Sequence, residues 1–408
     1  MTKDKSVLII GKVWPEPNSS AAGKRMMQLI EMMQEQDYTI TFVSTAAHTD
    51  FEENLTGHKV SFQMIKLNDA SFDSFLSQLQ PSIVIFDRFM TEEQFGWRVR
   101  EHLPSAVQVI DTEDLHFLRH ARQEAVKKNL PVDLYNEITK RELASLYRAD
   151  VSLIISEYEM SLLQTQFKIP ADKLIYLPLV FDEVEPNAKS FEDRKDFVFI
   201  GNFYHEPNWD AVLQLKKHWL HIKSLVPDAK MNIYGAYPSQ KVTDLHNEKE
   251  GFLVKGRAVS AKEVIENARI LLAPLRFGAG LKGKLLESMN YGTPSVTSSI
   301  GAEGILTNNW NGLICDDFST LGDELTKLYN DKTTWEAAQV KGYATIQGKF
   351  SKSLRTGSWI DKIDYIKDNL NSHRQQNFIG ELFHHHSLQS TKYMAKWIEE
   401  KSKLKSEQ

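Results

Sequence analysis

Residues 270–304 read ILLAPLRFGAGLKGKLLESMNYGTPSVTSSIGAEG. An apolar run closes at Ala273-Pro274, as a strand covered on both faces would. A glycine-rich loop follows, Phe277-Gly278-Ala279-Gly280, then Lys282, Gly283 and Lys284, and a helical stretch over 281–289 that carries Glu287. Gly292-Thr293-Pro294 turns the chain into the next strand, 295–297. Glycines let a backbone approach an anion closely, and the amides of a helix start point at it. Lys282 and Lys284 add positive charge at the same point. The chemistry this suits is a nucleotide diphosphate, with Glu287 one turn beyond Lys284 to accept hydrogen bonds from ribose hydroxyls. The ordinary alternative is the strand–loop–helix junction of any doubly wound sheet, its lysines solvated.

The same grammar extends in both directions. Short, continuously apolar runs at 6–11, 39–44, 60–66, 83–87, 106–111, 151–156 and 174–177 alternate with helical patterns such as 21–36, 91–102 and 132–148. Such alternation predicts βαβ units and a parallel sheet. The segment 182–196 is acidic, contains Pro186 and has no period, so it reads as a linker. Beyond it the series restarts, with strands expected at 197–201, 231–234, 252–254, 270–273 and 295–297 and helices at 209–222, 261–267 and 281–289. The last 80 or so residues read as helical. No G-x-G-x-x-G spacing follows the first strand of either series, and Leu285 after Lys284 excludes G-x-x-x-x-G-K-[ST]. Two Rossmann-like halves place a ligand cleft between the carboxyl ends of two sheets.

Composition narrows the classes. Of 408 residues, 41% are hydrophobic and 25% charged, an ordinary globular balance that excludes a disordered or fibrous chain. With 49 Lys+Arg against 54 Asp+Glu, the net charge of −5 argues against a general nucleic-acid binder. The single cysteine, Cys315, allows neither an intrachain disulfide nor a thiolate zinc cage. The polar start at 1–5 and the lack of a long apolar run lead to the expectation of a cytoplasmic protein.

The segment 270–304 resembles the donor-site signature of family 4 glycosyltransferases with the GT-B fold, an E-x7-E motif followed by a G-x-P turn. Glu287 matches the second glutamate and Gly292-Thr293-Pro294 the turn, whereas the first glutamate position falls on Ala279. Residues 199–210, FIGNFYHEPNWD, resemble the first strand and loop of that family's donor domain. Residues 13–23, VWPEPNSSAAG, resemble the small-residue loop of its acceptor domain. The resemblance implies an α/β chain of two Rossmann-like domains facing a cleft: 1–182 on the acceptor side, 195–360 for the nucleotide-sugar donor, and helices over 361–408 crossing back. It implies sugar transfer from a nucleotide-sugar donor to a glycan, lipid-linked or other acceptor, mostly with retention, in surface polysaccharide or glycoconjugate synthesis. No metal is expected, because side chains and a helix N-terminus neutralise the diphosphate. A sugar-nucleotide epimerase and a non-catalytic glycan- or transferase-binding partner are the alternatives, the latter favoured by Ala279.

On that resemblance Lys282 and Lys284 hold the diphosphate beside Gly278 and Gly280, and Glu287 holds the ribose. The loop after the first donor-domain strand has neither Arg nor Lys, so Arg276 and a protonated His205 are the further candidates for positive charge. In the acceptor half, QVIDTEDLHFLR at 108–119 corresponds to a histidine-bearing loop of the family. Asp111, Glu113 and His116 are the expected catalytic groups, able to orient an acceptor hydroxyl or take its proton. The alternative is a helix start, with Thr112 or Asp114 as N-cap and the acids complementing the dipole. Gly23 opens the first helix and permits close approach of a phosphate or the opposite domain. Glu303, after a strand, is expected near the base or ribose, with an exposed turn as the alternative.

Three further features read as ordinary. His384-His385-His386 point in different directions on a helix and are a poor metal site. The basic helix at 116–130, with Leu115, Leu118, Ala121 and Ala125 in one stripe, either rests on the inner membrane surface or packs on its own domain. Residues 394–404 place Met394, Trp397, Ile398 and Leu404 on one side, which reads as core.

Overall fold

The computed structural model describes residues 5–182, 184, 188–305, 308–355 and 357–406. Part of the expected linker (183 and 185–187) and most of the polar start at 1–5 lie outside the described residues. Seven strands make the first sheet: β1 (Ser6–Gly11), β2 (Thr39–Ser44), β3 (Ser61–Met64), β4 (Ile83–Asp87), β5 (Val107–Asp111), β6 (Val151–Ile154) and β7 (Leu174–Tyr176). Their order is β3-β2-β1-β4-β5-β6-β7, and every pairing is parallel. Along β1 the side chains alternate between two cores: Val7 and Ile9 pack on one face, Leu8 and Ile10 on the other. That double burial explains the continuous apolar runs.

The second sheet contains β8 (Lys195–Ile200), β9 (Met231–Tyr234), β10 (Phe252–Gly256), β11 (Ala268–Ala273), β12 (Ser295–Thr297) and β13 (Gly312–Ile314), in the order β10-β9-β8-β11-β12-β13. β13 is absent from the sequence reading. It is a three-residue edge strand, half-buried throughout, and so has no apolar run to reveal it. The helix expected at 132–148 begins at Glu137, because the Asn136 side chain accepts from the amides of Ile138 and Thr139 and fixes the first turn there.

Two chain crossings join the halves side by side. The Phe181 amide donates to Phe350 O and the Lys352 amide to Phe181 O, both at 2.8 Å. Past this point the helix Ser358–Asp368 returns to the first sheet, where Trp359, Ile360, Ile363 and Ile366 join the core of Val7 and Ile9. The final helix, Phe378–Ser406, then lies across the first half. Two expectations about surfaces change here. Leu115, Leu118 and Ala121 are buried in the first-domain core, so the basic helix His116–Lys128 turns its apolar stripe inward and has none for a membrane. Met394, Trp397 and Leu404, expected in a core, are exposed, because the helix packs through its opposite face at His384 and Ala395.

Candidate functional site

The carboxyl ends of β1, β4 and β5 face those of β8 and β9 across a cavity of about 620 Å³ lined from both halves. At its floor the helix Gly283–Asn290 starts directly after the glycine loop, with Lys282 as N-cap. The first helical bond runs from the Leu285 amide to Lys282 O, so the amides of Gly283 and Lys284 precede it at the cavity wall. The Lys282 ammonium folds back on Gly280 O at 2.9 Å and is buried. Lys284 reaches Asn208 Oδ1 and lies 4.1 Å from the Phe199 ring centroid. Burial lowers the pKa of both, that of Lys284 to about 7, because a desolvated ammonium lacks a full counter-charge. These cations are therefore poised to gain from an incoming anion.

Glu287, one turn further, bonds Lys24 of the first half at 2.9 Å. Gly23 lines the same wall. A Cβ there would lie 2.4 Å from Glu16 O, so only glycine lets the loop 13–23 fold onto the first helix.

Opposite stand groups of the first half. Glu113 adopts a left-handed backbone (φ 61°), as does Arg88 at the end of β4 (φ 71°), and both line the cavity. Strained charged residues at strand ends are a mark of a functional site. One oxygen of Glu113 is buried without a hydrogen bond, and burial beside Asp111 pushes its pKa well up. His116 begins its helix, its Nδ1 3.1 Å from Asp114 O, and burial lowers its pKa to about 4, so the ring is neutral at pH 7. The cap of this helix is neither Thr112 nor Asp114. Glu142 accepts from the amides of His116 (3.1 Å) and Phe117 (2.8 Å), and Glu159 from that of Leu115 (3.0 Å).

The cavity thus gathers Gly23, Glu113, His116, His205, Gly278, Lys282, Lys284 and Glu287. It does not gather four other candidates. Asp111 is fully buried beneath, bonded by Arg25 Nε and Nη2 at 2.6–3.0 Å, and has no path to a substrate. Arg276 forms a two-pronged pair with Asp210 on the outer side. The Gly280 amide donates to Glu159 at 2.8 Å, and Asp114 packs so closely that a Cβ on Gly280 would lie 2.8 Å from its Cβ. Glu303 accepts two bonds from Arg122 at 2.7 Å each, joining the domains rather than facing a ribose. His205 is at the cavity with an exposed side chain, and desolvation and the positive charge of Arg119 lower its pKa, which disfavours the protonated form expected of it.

Sequence reasoning missed Arg88, Lys24, Asn208 and an aromatic group at the cavity mouth. There Tyr204 stacks on Tyr237 with centroids 4.5 Å apart, and the Tyr237 hydroxyl donates to Glu16 at 2.8 Å across the cleft. A charged residue directly after the apolar run IVIFD was the available signal for Arg88. Among the described residues no group of three or more His, Cys, Asp or Glu is arranged to hold a metal ion. His384 Nε2 contacts Arg148 O instead, at 2.9 Å.

Two seven- and six-stranded parallel sheets facing one cleft, with the terminal helices returning to the first, decide the architecture. The fold is GT-B. Residues 194–331 match the family described as Glycosyl transferases group 1. No curated protein sequence matches the chain. Among solved structures, S. aureus TarM in complex with UDP and alpha-GlcNAc-glycerol superposes with a TM-score of 0.69 at 10% identity, covering 88% of this chain and 99% of that one. Sucrose-phosphate synthase from Thermosynechococcus elongatus gives 0.63 at 13%, covering 92% and 99%. The pneumococcal O-GlcNAc transferase GtfA, in complex with UDP and GlcNAc, gives 0.62 at 12%, covering 89% and 99%. In this GT-B chain the matched segment contains Lys282, Lys284 and Glu287. No helix among the described residues is long and apolar enough to cross a membrane.

Proposed function

We propose that this GT-B protein is a glycosyltransferase that moves a sugar from a nucleotide-sugar donor to a glycan or lipid-linked acceptor, in surface polysaccharide or glycoconjugate synthesis. The observation that carries the reading is the pair of desolvated lysines, Lys282 and Lys284, at the start of the helix Gly283–Asn290 in the interdomain cavity. A diphosphate seated there supplies the missing counter-charge, and the helix N-terminus stabilises the negative charge that grows on the leaving group. Glu287 meets the ribose hydroxyls, with Lys24 fixing its carboxylate. Across the cavity, neutral His116 accepts or donates a hydrogen bond to a sugar hydroxyl, and Glu113 lies within the same wall. The helix and side chains replace a metal at the diphosphate, and retention of configuration follows the family resemblance.

TarM and GtfA hold UDP in their structures, so UDP-sugars are the first donors to test. The full chain is incubated with UDP, GDP and ADP sugars and cell-wall glycans, and both thermal stabilisation and released nucleoside diphosphate are measured. A ligand at 100 times its Kd stabilises by about 2.7 kcal/mol. Stabilisation by one nucleotide class together with acceptor-dependent release supports transfer, and no stabilisation by any nucleotide refutes it. A second reading is a non-catalytic glycan- or transferase-binding partner. It is motivated by Ala279, which stands at the cavity wall where the family pattern has a glutamate. Donor binding with no nucleotide release in the presence of glycans selects it.

A further inference from the structure

The final helix, Phe378–Ser406, is held to the first domain mainly by one face, with Phe383 stacked on Tyr147 near its start. His384 and Ala395 are buried there, Lys392 bonds Glu101 at 2.8 Å, and Glu399 pairs with Arg98. On the opposite face Ile379, Leu382, Tyr393, Met394, Trp397 and Leu404 fall within about 120° of helical arc and extend over roughly 38 Å. All are exposed, Tyr393 at 68%, Met394 and Trp397 at 59% and Leu404 at 64%. An apolar stripe of this length is more than the scattered exposed residues of an ordinary surface.

Charge decides what covers it. The helix acids are each satisfied within the chain: Glu381 by Arg100, Glu399 by Arg98 and Glu400 by Lys403. Lys396 borders the stripe and Lys401 lies 4.8 Å from the Trp397 ring centroid, long stems along apolar surface with cationic heads. Tyr and Trp beside lysines suit the boundary between lipid headgroups and acyl chains. We propose that this stripe docks the protein on an anionic lipid surface.

The test is flotation of the full chain with vesicles of phosphatidylcholine alone or mixed equally with phosphatidylglycerol. The intact protein should float with the mixed vesicles and not with phosphatidylcholine. Met394→Glu/Trp397→Glu should abolish flotation while the circular dichroism spectrum is unchanged, since both residues are exposed. Lys396→Gln/Lys401→Gln should weaken partitioning roughly thirtyfold, on the scale of two lysine contacts with an anionic leaflet. The proposal is overturned if the intact chain stays below the mixed vesicles at low salt, or if the double glutamate variant floats equally well. It is also overturned if ultracentrifugation shows a dimer that this variant dissolves while nothing floats.

Discussion

Arg122 and Glu303 meet across the cleft in a two-pronged hydrogen bond, each contact 2.7 Å long, and the same guanidinium donates to Gly278 O at 2.8 Å. One side chain of the first domain thus ties down both the glycine loop and the turn after β12. Lys24–Glu287 and Tyr237–Glu16 close the cleft at two further points. The described state is a closed one, with the glycine loop of the second half held by residues of the first.

Arg122→Ala should open this closure. It leaves the Glu303 carboxylate without its two-pronged partner, at an expected cost of about 3 kcal/mol, the low end for a largely buried pair. The urea midpoint should fall, and small-angle scattering should show a larger radius of gyration. An unchanged radius would mean that the remaining contacts set the domain angle alone.

Glu113→Gln probes a carboxyl whose pKa burial and the neighbouring Asp111 raise. A raised folded pKa means that the native state keeps a proton the unfolded chain loses above about pH 4.3. The stability this group contributes is therefore lost as pH rises towards its folded pKa. Glutamine has no such dependence. The stability difference, variant minus parent, should be near zero at about pH 4.5 and grow in the variant's favour by about pH 8. A difference that does not change with pH would show that Glu113 is ionised in the folded protein.

The lysines work in the opposite sense. The depressed pKa of Lys284, about 7, means that between there and the unfolded value near 10.4 the native state binds fewer protons, so stability from this group rises with pH. A bound diphosphate reverses the shift by supplying negative charge. Binding of a nucleoside diphosphate at about pH 8.5 should therefore take up a proton, which titration calorimetry in two buffers of different ionisation enthalpy detects. Lys284→Met should remove the larger part supplied by Lys284 and leave the share taken up by Lys282. Uptake of the same size in the variant would assign the proton elsewhere.

Legibility in the sequence followed the range of the interactions. β1 and β4 were readable to the residue because double burial demands near-continuous apolar runs. The glycine loop and its lysines were readable because consecutive residues of the sequence stay together at the cavity wall. The roles of Glu303, Gly280 and Arg276 were not, since their partners lie 181, 121 and 66 positions away in Arg122, Glu159 and Asp210. Asp111 resembles a catalytic acid in sequence, and only the presence of Arg25 beneath the sheet makes it structural. The left-handed backbones of Arg88 and Glu113 carry no local signature, because neither is a residue that favours that region.

Lys284 and Glu287 lie about one turn apart on the same helix but face different partners, and their substitutions should differ in kind. Lys284 contacts Asn208 and the Phe199 ring, at the end of the helix where the backbone dipole is positive. Lys284→Ala should weaken nucleoside diphosphate binding by roughly 1.5–3 kcal/mol, the scale of a charge-assisted hydrogen bond, and leave bare nucleoside almost unaffected. Glu287 cannot usefully approach a phosphate, since like charges repel, and its carboxylate already holds the Lys24 ammonium. Glu287→Gln should weaken nucleoside and diphosphate alike, because the ribose is common to both. Lys24→Met separates the two duties of Glu287. If the carboxylate binds ribose, the Lys24 variant keeps most of the nucleoside affinity. If it serves only to close the cleft, both variants lose the same amount. Titration of the three variants with nucleoside, monophosphate and diphosphate decides between these outcomes, and equal negligible shifts for every ligand would remove the pair from the binding site.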